Sequence, residues 1–143
     1  MTAYLLDENV LREFGARGDV NVHKWLATVD DTDLRLSVAT LFEKRRGAEM
    51  LARRDPKRAK VLLDAIAVLE KAYADRIIPI DLIVVEEWTR MLGAKNKDRW
   101  DLALAATARV HGLVLVTRNT KDFTGRGVRL LNPFLDPPRA IEL

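Results

Sequence analysis

A chain of 143 residues is long enough for one compact domain with its own hydrophobic core and too short for two. Apolar residues make up 48% of the chain and charged residues 31%, which excludes the disordered and fibrous classes, and the absence of cysteine excludes disulfides, thiolate metal sites and thiol nucleophiles. A formal charge of +3 permits contact with a polyanion, but it is modest for a dedicated nucleic-acid binder.

The first half of the chain alternates short apolar runs with segments whose apolar residues have helical spacing. Tyr4 to Leu6 predicts a strand, and Asn9 to Phe14 predicts the helix that follows it. A second short helix is expected over Val22 to Val29, before a polar turn. A second strand at Leu34 to Ser37 then leads into a longer helix that starts at Val38 and runs through Leu51.

The second half continues the same alternation. Its predicted elements are a helix from Pro56, a strand at Ile77 to Ile80, a helix capped by Asp81 and ended by Gly93, a helix at Trp100 to Val110, and strands at Leu113 to Thr117 and Val128 to Leu131. The polar stretch Ala94 to Arg99 is predicted to be a loop. The Pro-rich end of the chain, residues 136–143, is predicted to be a flexible tail.

Strands that alternate with helices predict a mostly parallel central sheet between helices, a three-layer α/β/α sandwich. The longest apolar runs, such as Leu113 to Val116, are far shorter than the roughly 20 residues that span a bilayer. Asp7 and Glu8 interrupt the stretch that a signal peptide would need to be apolar. We therefore expect a cytoplasmic protein without a membrane segment, in keeping with the absence of cysteine.

Acidic and amide side chains follow the predicted strands, and ligands collect at the carboxyl ends of strands in an open parallel sheet. These residues are Asp7, Glu43, Asp101, Asn119 and Asp122. Carboxylates that converge repel one another unless a cation joins them, and oxygen ligands select hard ions such as Mg²⁺ or Mn²⁺. Such an ion can activate water and polarise a phosphodiester, which predicts phosphodiester hydrolysis. An acid after a strand also commonly caps a helix or a turn, and spacing leaves both interpretations open.

Basic and aromatic residues offer further candidate contacts. Lys44, Arg45, Arg46 and the basic residues up to Lys60 form either a solvated helical face or a track for an RNA backbone. Arg118 and Lys121 lie closer to the expected metal site and are better candidates for phosphate contact.

Among the tryptophans, Trp25 and Trp88 fall on apolar stripes and are predicted to be core residues, whereas Trp100, next to Asp101, is a candidate for base stacking. His23 and His111 are not adjacent to a strand-end acid, so neither is expected to be catalytic. Ser37 lacks the Gly-x-Ser-x-Gly context of a serine nucleophile.

Four ordered blocks of the sequence resemble PIN domains. They are Leu5 to Leu11 (LLDENVL), Leu36 to Gly47 (LSVATLFEKRRG), Trp100 to Ala108 (WDLALAATA), and Leu115 to Phe123 (LVTRNTKDF) running on to Leu131 to Phe134. The resemblance is strongest to the VapC-like and FitB-like branch, toxins of type II toxin–antitoxin systems. It implies an endoribonuclease that needs Mg²⁺ or Mn²⁺, with residues 1–135 forming the PIN-like nuclease domain.

The resemblance also implies roles for individual residues. Asp7, Glu43 and Asp101 take the places of the metal-binding catalytic acids; Asn119, where many relatives have Asp, ligates the metal directly or through water, and Asp122 supplies a nearby catalytic charge. Arg118, Lys121 and Arg46 are the expected RNA contacts. Glu8 departs from the usual Thr, and its longer charged arm either adds a ligand or obstructs the metal.

The partners implied are a cognate VapB-like antitoxin and an RNA substrate, with a homodimer of the chain and a heterotetramer or higher complex with the antitoxin. A different class of function stays open beside the enzyme. A PIN scaffold impaired by Glu8 and by the missing fourth Asp would bind RNA or an antitoxin without cutting.

Overall fold

The computed structural model describes residues 2–94 and 99–141, and its centre is a six-stranded sheet. The strands are β1 Tyr4–Leu6, β2 Leu34–Ser37, β3 Ile77–Ile78, β4 Val114–Val116, β5 Leu130–Asn132 and β6 Arg139–Ile141. They stand in the order β3-β2-β1-β4-β5-β6, with β1 to β5 parallel and β6 antiparallel to β5. The mostly parallel sheet predicted from the sequence is confirmed.

Helices connect the strands. They are α1 Glu8–Leu11, α2 Val20–Leu26, α3 Val38–Ala52, α4 Pro56–Ala72, α5 Leu82–Leu92 and α6 Leu102–His111. Asp81 caps α5 by accepting a hydrogen bond from the Val84 N–H, and Gly112 ends α6 in the left-handed region at φ 65°. None of the helices within residues 2–94 and 99–141 is both long and apolar enough to cross a membrane.

Successive residues of a strand point to opposite faces of the sheet, so each central strand contributes to two hydrophobic cores. Leu5 and Leu115 are fully buried in the first core, together with the alanine-rich side of α6. Leu6 and Val116 are fully buried in the second core, with Trp25 of α2. Helices thus cover both faces of the sheet, and the predicted three-layer α/β/α sandwich is confirmed.

The observed helices and strands differ from the predicted ones in where several of them begin or end. The helix expected from Trp100 begins at Leu102, and the third strand is limited to Ile77–Ile78. The larger difference is at the end of the chain, where Arg139–Ile141 forms β6 although residues 136–143 were predicted to be a flexible tail. The strand forms through backbone pairing with the sheet edge at β5, which the side-chain pattern does not encode. Residues 95–98 of the expected loop lie outside the described residues.

Candidate active site

A cleft of about 230 Å³ opens near the carboxyl ends of β1 and β4. It is lined by all five acids and amides singled out from the sequence, together with other residues of the same rim: Asp7, Glu8, Asn9, Arg12, Glu43, Asp101, Leu104, Asn119, Asp122 and Phe123. The parallel order β2-β1-β4 produces this convergence, because it places the ends of separate strands at one edge of the sheet.

Asp7 directly follows β1 and is held by several hydrogen bonds. Its Oδ1 accepts from the Glu8 N–H at 2.7 Å, and its Oδ2 accepts from the Thr117 hydroxyl at 2.9 Å and from Asn9 Nδ2 at 3.4 Å. Burial raises the pKa of the Asp7 carboxyl above its ordinary value of 3.8, and the charges of Glu8 and Asp101 raise it further against these hydrogen bonds. Asp7 is therefore a helix cap and a perturbed carboxylate at once.

Glu43 reaches the cleft from the second turn of α3. Burial raises the pKa of its carboxyl above the ordinary value of 4.5. Repulsion from the charges of Asp7, Glu8 and Asp101 raises the pKa further. Acids on three different elements thus sense one another's charge. A cation bound among them would relieve this repulsion.

Asp101 directly precedes α6 but makes no capping hydrogen bond to it. Its carboxylate instead pairs with Arg99, whose Nη2 donates to Oδ2 at 2.6 Å and whose Nε donates to Oδ1 at 3.3 Å. Arg99 Nη2 also donates to the backbone oxygen of Asp122 at 3.2 Å. The third acid is therefore engaged by a cation from its own chain.

Asn119 and Asp122 bracket the 3-10 turn Thr120–Asp122 after β4. The Asn119 N–H donates to Thr117 Oγ1 at 3.0 Å, while the Asn119 side chain makes no capping hydrogen bond to this turn. Both residues are exposed and line the cleft. Their side chains are therefore placed where either could complete a metal site.

Glu8 also faces the cleft, beside the first acid. Its Oε2 lies 2.9 Å from Lys44 Nζ, close enough for an ion pair although not aligned as a hydrogen bond. Both side chains are largely buried, with 24% of Glu8 and 19% of Lys44 exposed. Lys44 therefore balances the charge that Glu8 adds beside Asp7.

The donor set of the cleft suits a hard divalent ion, because it consists of carboxylate and amide oxygens without sulfur or imidazole. Within the described ranges, no three acidic or histidine side chains are already gathered as ligands around one point. The Asp101 carboxylate is turned toward Arg99. The residues therefore fit a divalent ion in chemistry, and ligation would require the acidic side chains to draw together.

The expected RNA contacts lie at and beyond the cleft rim. Lys121 is exposed in the turn next to Asp122, and Arg46 is exposed on α3 outside the cleft lining. The Arg118 guanidinium lies 4.2 Å from the centre of the Phe134 ring. The structure thus brings the acids together in the cleft, whereas Arg118, Lys121 and Arg46 are not among the residues that line it.

Trp25 and Trp88 were predicted to be core residues, and they lie in or against the two hydrophobic cores. Trp25 is buried, and Trp100 is 37% exposed. Trp88 is only partly buried, and it packs edge-on against Trp100 with ring centres 5.1 Å apart. Phe42, adjacent to Glu43, is 52% exposed and packs against Trp100 at 5.3 Å. An exposed aromatic pair therefore adjoins two of the acids.

Sequence reasoning missed several residues of the cleft. Asn9 and Thr117 hold Asp7, and both were part of the segments that resemble PIN domains, so that resemblance was the available signal. Arg12 lines the cleft from the 3-10 turn after α1. Arg99 was placed in a polar loop, and no pattern in the sequence shows that it turns back onto Asp101.

A larger groove of about 570 Å³ lies beside the cleft, between α1, α3 and α4. Its lining is apolar at Leu11, Phe14, Leu51, Leu62 and Ile66, with Arg54 and Arg58 among its charged residues. Glu8, Glu43 and Lys44 line it as well, so it is continuous with the acidic cleft.

Comparison with known proteins identifies the family of the chain. The family model described as PIN domain matches residues 4–125. The chain is 30% identical to Toxin FitB of Neisseria gonorrhoeae over 92% of this chain and 99% of that protein. It is 29% identical to VapC ribonuclease Y4jK of Sinorhizobium fredii over 91% and 96%. Among solved structures, that of FitAB bound to an IR36 DNA fragment matches with a TM-score of 0.78 at 29% identity over 92% of this chain and 96% of that one. The chain belongs to the PIN domain family.

Proposed function

We propose that this chain is a metal-dependent endoribonuclease that hydrolyses RNA phosphodiester bonds, and that it is the toxin of a VapBC-like type II toxin–antitoxin module. The observation that carries the proposal is the convergence of Asp7, Glu43 and Asp101 on one cleft, with the pKa of two of them raised in part by mutual repulsion. The relatives named toxin and ribonuclease support the same function.

The three acids would hold Mg²⁺ or Mn²⁺, with Asn119 or Asp122 completing the site. When bound, such an ion supplies electrostatic stabilisation to the charge that builds on the phosphate oxygens during hydrolysis. Thr117 and Asn9 keep the Asp7 carboxylate oriented toward the cleft through their hydrogen bonds to its Oδ2. This fixed orientation lowers the cost of assembling the site.

The rim of the cleft offers contacts for single-stranded RNA. Phe42 and Trp100 present exposed ring surface next to two of the acids, and an unpaired base can stack on such a surface. Arg118, Lys121 and Arg46 would follow the backbone phosphates. These contacts would place a phosphodiester within reach of Asp7, Glu43 and Asp101.

The function is tested by incubating purified protein, free of any antitoxin, with structured and single-stranded RNAs in Mg²⁺, in Mn²⁺ and in EDTA. We expect cleavage with either ion and none with EDTA. A Glu8→Thr variant belongs in the same experiment: because Lys44 already balances the Glu8 charge, we expect native protein and variant both to cut. Absence of RNA cleavage by both proteins, with Mg²⁺ and with Mn²⁺, would contradict the enzyme proposal.

A specific observation favours the binding-only scaffold as the second candidate. The third acid is already paired with Arg99, and Glu8 adds a carboxylate beside the first acid. If native protein does not cleave RNA and the Glu8→Thr variant does, Glu8 has disabled the site, and the function of the native protein is to bind RNA or an antitoxin. DNA in the same panel shows whether the nuclease discriminates between nucleic acids.

We propose that the groove beside the cleft receives a segment of the antitoxin. It combines an apolar floor with positive charge at Arg54 and Arg58, and it leads to the negative charge of Glu8 and Glu43. A segment with apolar anchors would fill such a groove and shield the acids from RNA. The homodimer and the heterotetramer or higher complex with antitoxin are part of this proposal.

Leu62→Asp is expected to weaken binding of a cognate VapB-like antitoxin by about thirtyfold. Leu62 lines the groove and is 42% exposed, so the substitution places a charge against an apolar segment without opening a core. The matched control is Val68→Asp, on the same helix but outside the groove lining and 69% exposed. Calorimetric titration measures both variants, and equal affinity for the two would contradict this docking site.

A further inference from the structure

Arg99 engages the carboxylate of the third acid, Asp101. Its guanidinium engages both carboxylate oxygens of Asp101, at 2.6 Å and 3.3 Å. We infer that Arg99 is an internal counter-cation that the divalent ion displaces from Asp101, and that the released guanidinium then contacts the RNA phosphate. The inference rests on the metal site of the proposed function.

The backbone around Arg99 holds the side chain in reach of the cleft. The Arg99 carbonyl oxygen accepts from Trp88 Nε1 on α5 and from the Leu102 N–H at the start of α6, each at 3.0 Å. The guanidinium extends from this anchor across the cleft rim to the Asp122 backbone oxygen. Arg99 therefore joins α5, the start of α6 and the turn after β4.

Among residues 2–94 and 99–141, no cation pairs in this way with Asp7 or Glu43. Asp7 accepts hydrogen bonds from the Glu8 backbone and from the neutral side chains of Asn9 and Thr117. Asp101, by contrast, faces a planar fork whose shape matches a carboxylate and occupies both of its oxygens. An ion that binds an Asp101 oxygen would meet the positive charge of the guanidinium at the same carboxylate, so the two cations compete for Asp101.

The pair is exposed enough to open. The Arg99 side chain is 33% exposed and that of Asp101 is 40% exposed, so water screens their attraction and the pair is weak compared with a buried one. A guanidinium released at this rim lies beside the acids, where the phosphodiester would approach. Metal loading and phosphate binding would then be linked through one residue, because the ion frees the group that the phosphate uses.

The decisive experiment titrates Mn²⁺ into metal-free protein without RNA and follows free Mn²⁺ by electron paramagnetic resonance. We expect Arg99→Gln to bind Mn²⁺ about fivefold more tightly than native protein, the upper end for loss of an exposed ion pair. Arg12→Gln removes the same charge from the same cleft but from a side chain without a bond to Asp101, and we expect a change below about twofold. Arg99→Lys keeps the charge without the fork and should fall between native protein and Arg99→Gln.

A second readout tests the phosphate contact. At saturating Mn²⁺, Arg99→Gln should raise the KM for RNA several-fold relative to native protein, since the metal site is full in both. An unchanged KM would overturn the phosphate contact. Thermal melting of each variant checks that the fold is kept.

The outcomes separate this inference from the proposed function. Equal Mn²⁺ affinity in native protein and Arg99→Gln, or an equal gain in Arg12→Gln, overturns the displacement by Arg99 while leaving the metal site standing. Absence of saturable Mn²⁺ binding in every variant instead rejects the metal site and the proposed function with it.

Discussion

Asp7→Asn is expected to lower metal-dependent RNA cleavage by a factor of about 10³ or more, because several kcal/mol of transition-state stabilisation depend on an intact metal site. The substitution keeps the shape of the side chain and an oxygen that can accept from the Glu8 N–H, while it removes the negative charge. Initial rates on one cleaved RNA at saturating Mn²⁺ measure the effect. Asp64→Asn, on the exposed side of α4, is the matched control and should retain the native rate.

The same variant has an expected signature in stability against pH. Burial raises the folded-state pKa of Asp7, so the stabilisation from holding this proton is complete below the ordinary pKa near 3.8 and is lost as pH rises through the raised value. The metal-free Asp7→Asn variant does not lose this stabilisation as pH rises, because its side chain is neutral at every pH. We therefore expect its melting temperature to equal or exceed that of native protein at pH 7.5, with the difference shrinking toward pH 4.

Two results would contradict this assignment of Asp7. Cleavage retained within tenfold of native by Asp7→Asn would remove the residue from the metal site. A melting temperature far below native at both pH values would mean that the residue serves mainly as the cap of α1. The Asp64→Asn control separates both results from a general effect of losing one carboxylate.

Phe123→Ala is expected to destabilise the protein by about 3 to 5 kcal/mol, a large share of the roughly 5 to 15 kcal/mol that stabilises a domain. Phe123 is 2% exposed and belongs to the first core, with Leu5, Leu115 and Leu130 of three neighbouring strands. Its removal leaves a cavity that strands cannot readily close. Urea unfolding should show a lower midpoint with an unchanged slope.

Phe42→Ala provides the matched control, since it deletes the same atoms from a side chain that is 52% exposed. We expect it to cost less than about 1 kcal/mol, because about half of the side chain already faces water and its packing includes a ring contact with the partly exposed Trp100. A similar loss of stability in both variants would contradict the division into a buried Phe123 and a surface Phe42. Cleavage by Phe42→Ala, measured alongside, reports separately on the proposed RNA contact.

The local sequence pattern predicted a helix or strand well where the element is long or where its side chains are buried on both faces of the sheet. The helix starting at Val38 and the helix starting at Pro56 were predicted at their observed first residues, since capping and proline signals mark helix starts. The continuous apolar run Leu113 to Thr117 predicted β4 with one residue too many at each end, and the strand is buried throughout. The bounds of the third and fifth strands were predicted less accurately, because a strand of two or three residues has too few side chains to show a clear alternation.

The sequence by itself determined the parallel α/β architecture and the acids to inspect, because strand ends and helix caps are encoded within a few residues of each other. Only the tertiary structure decided what those acids touch. The hydrogen bond from Thr117 to Asp7 and the ion pair of Lys44 with Glu8 join residues far apart in the chain. Arg99 is near Asp101 in sequence, but its direction depends on Trp88 and Asp122, which packing alone brings beside it.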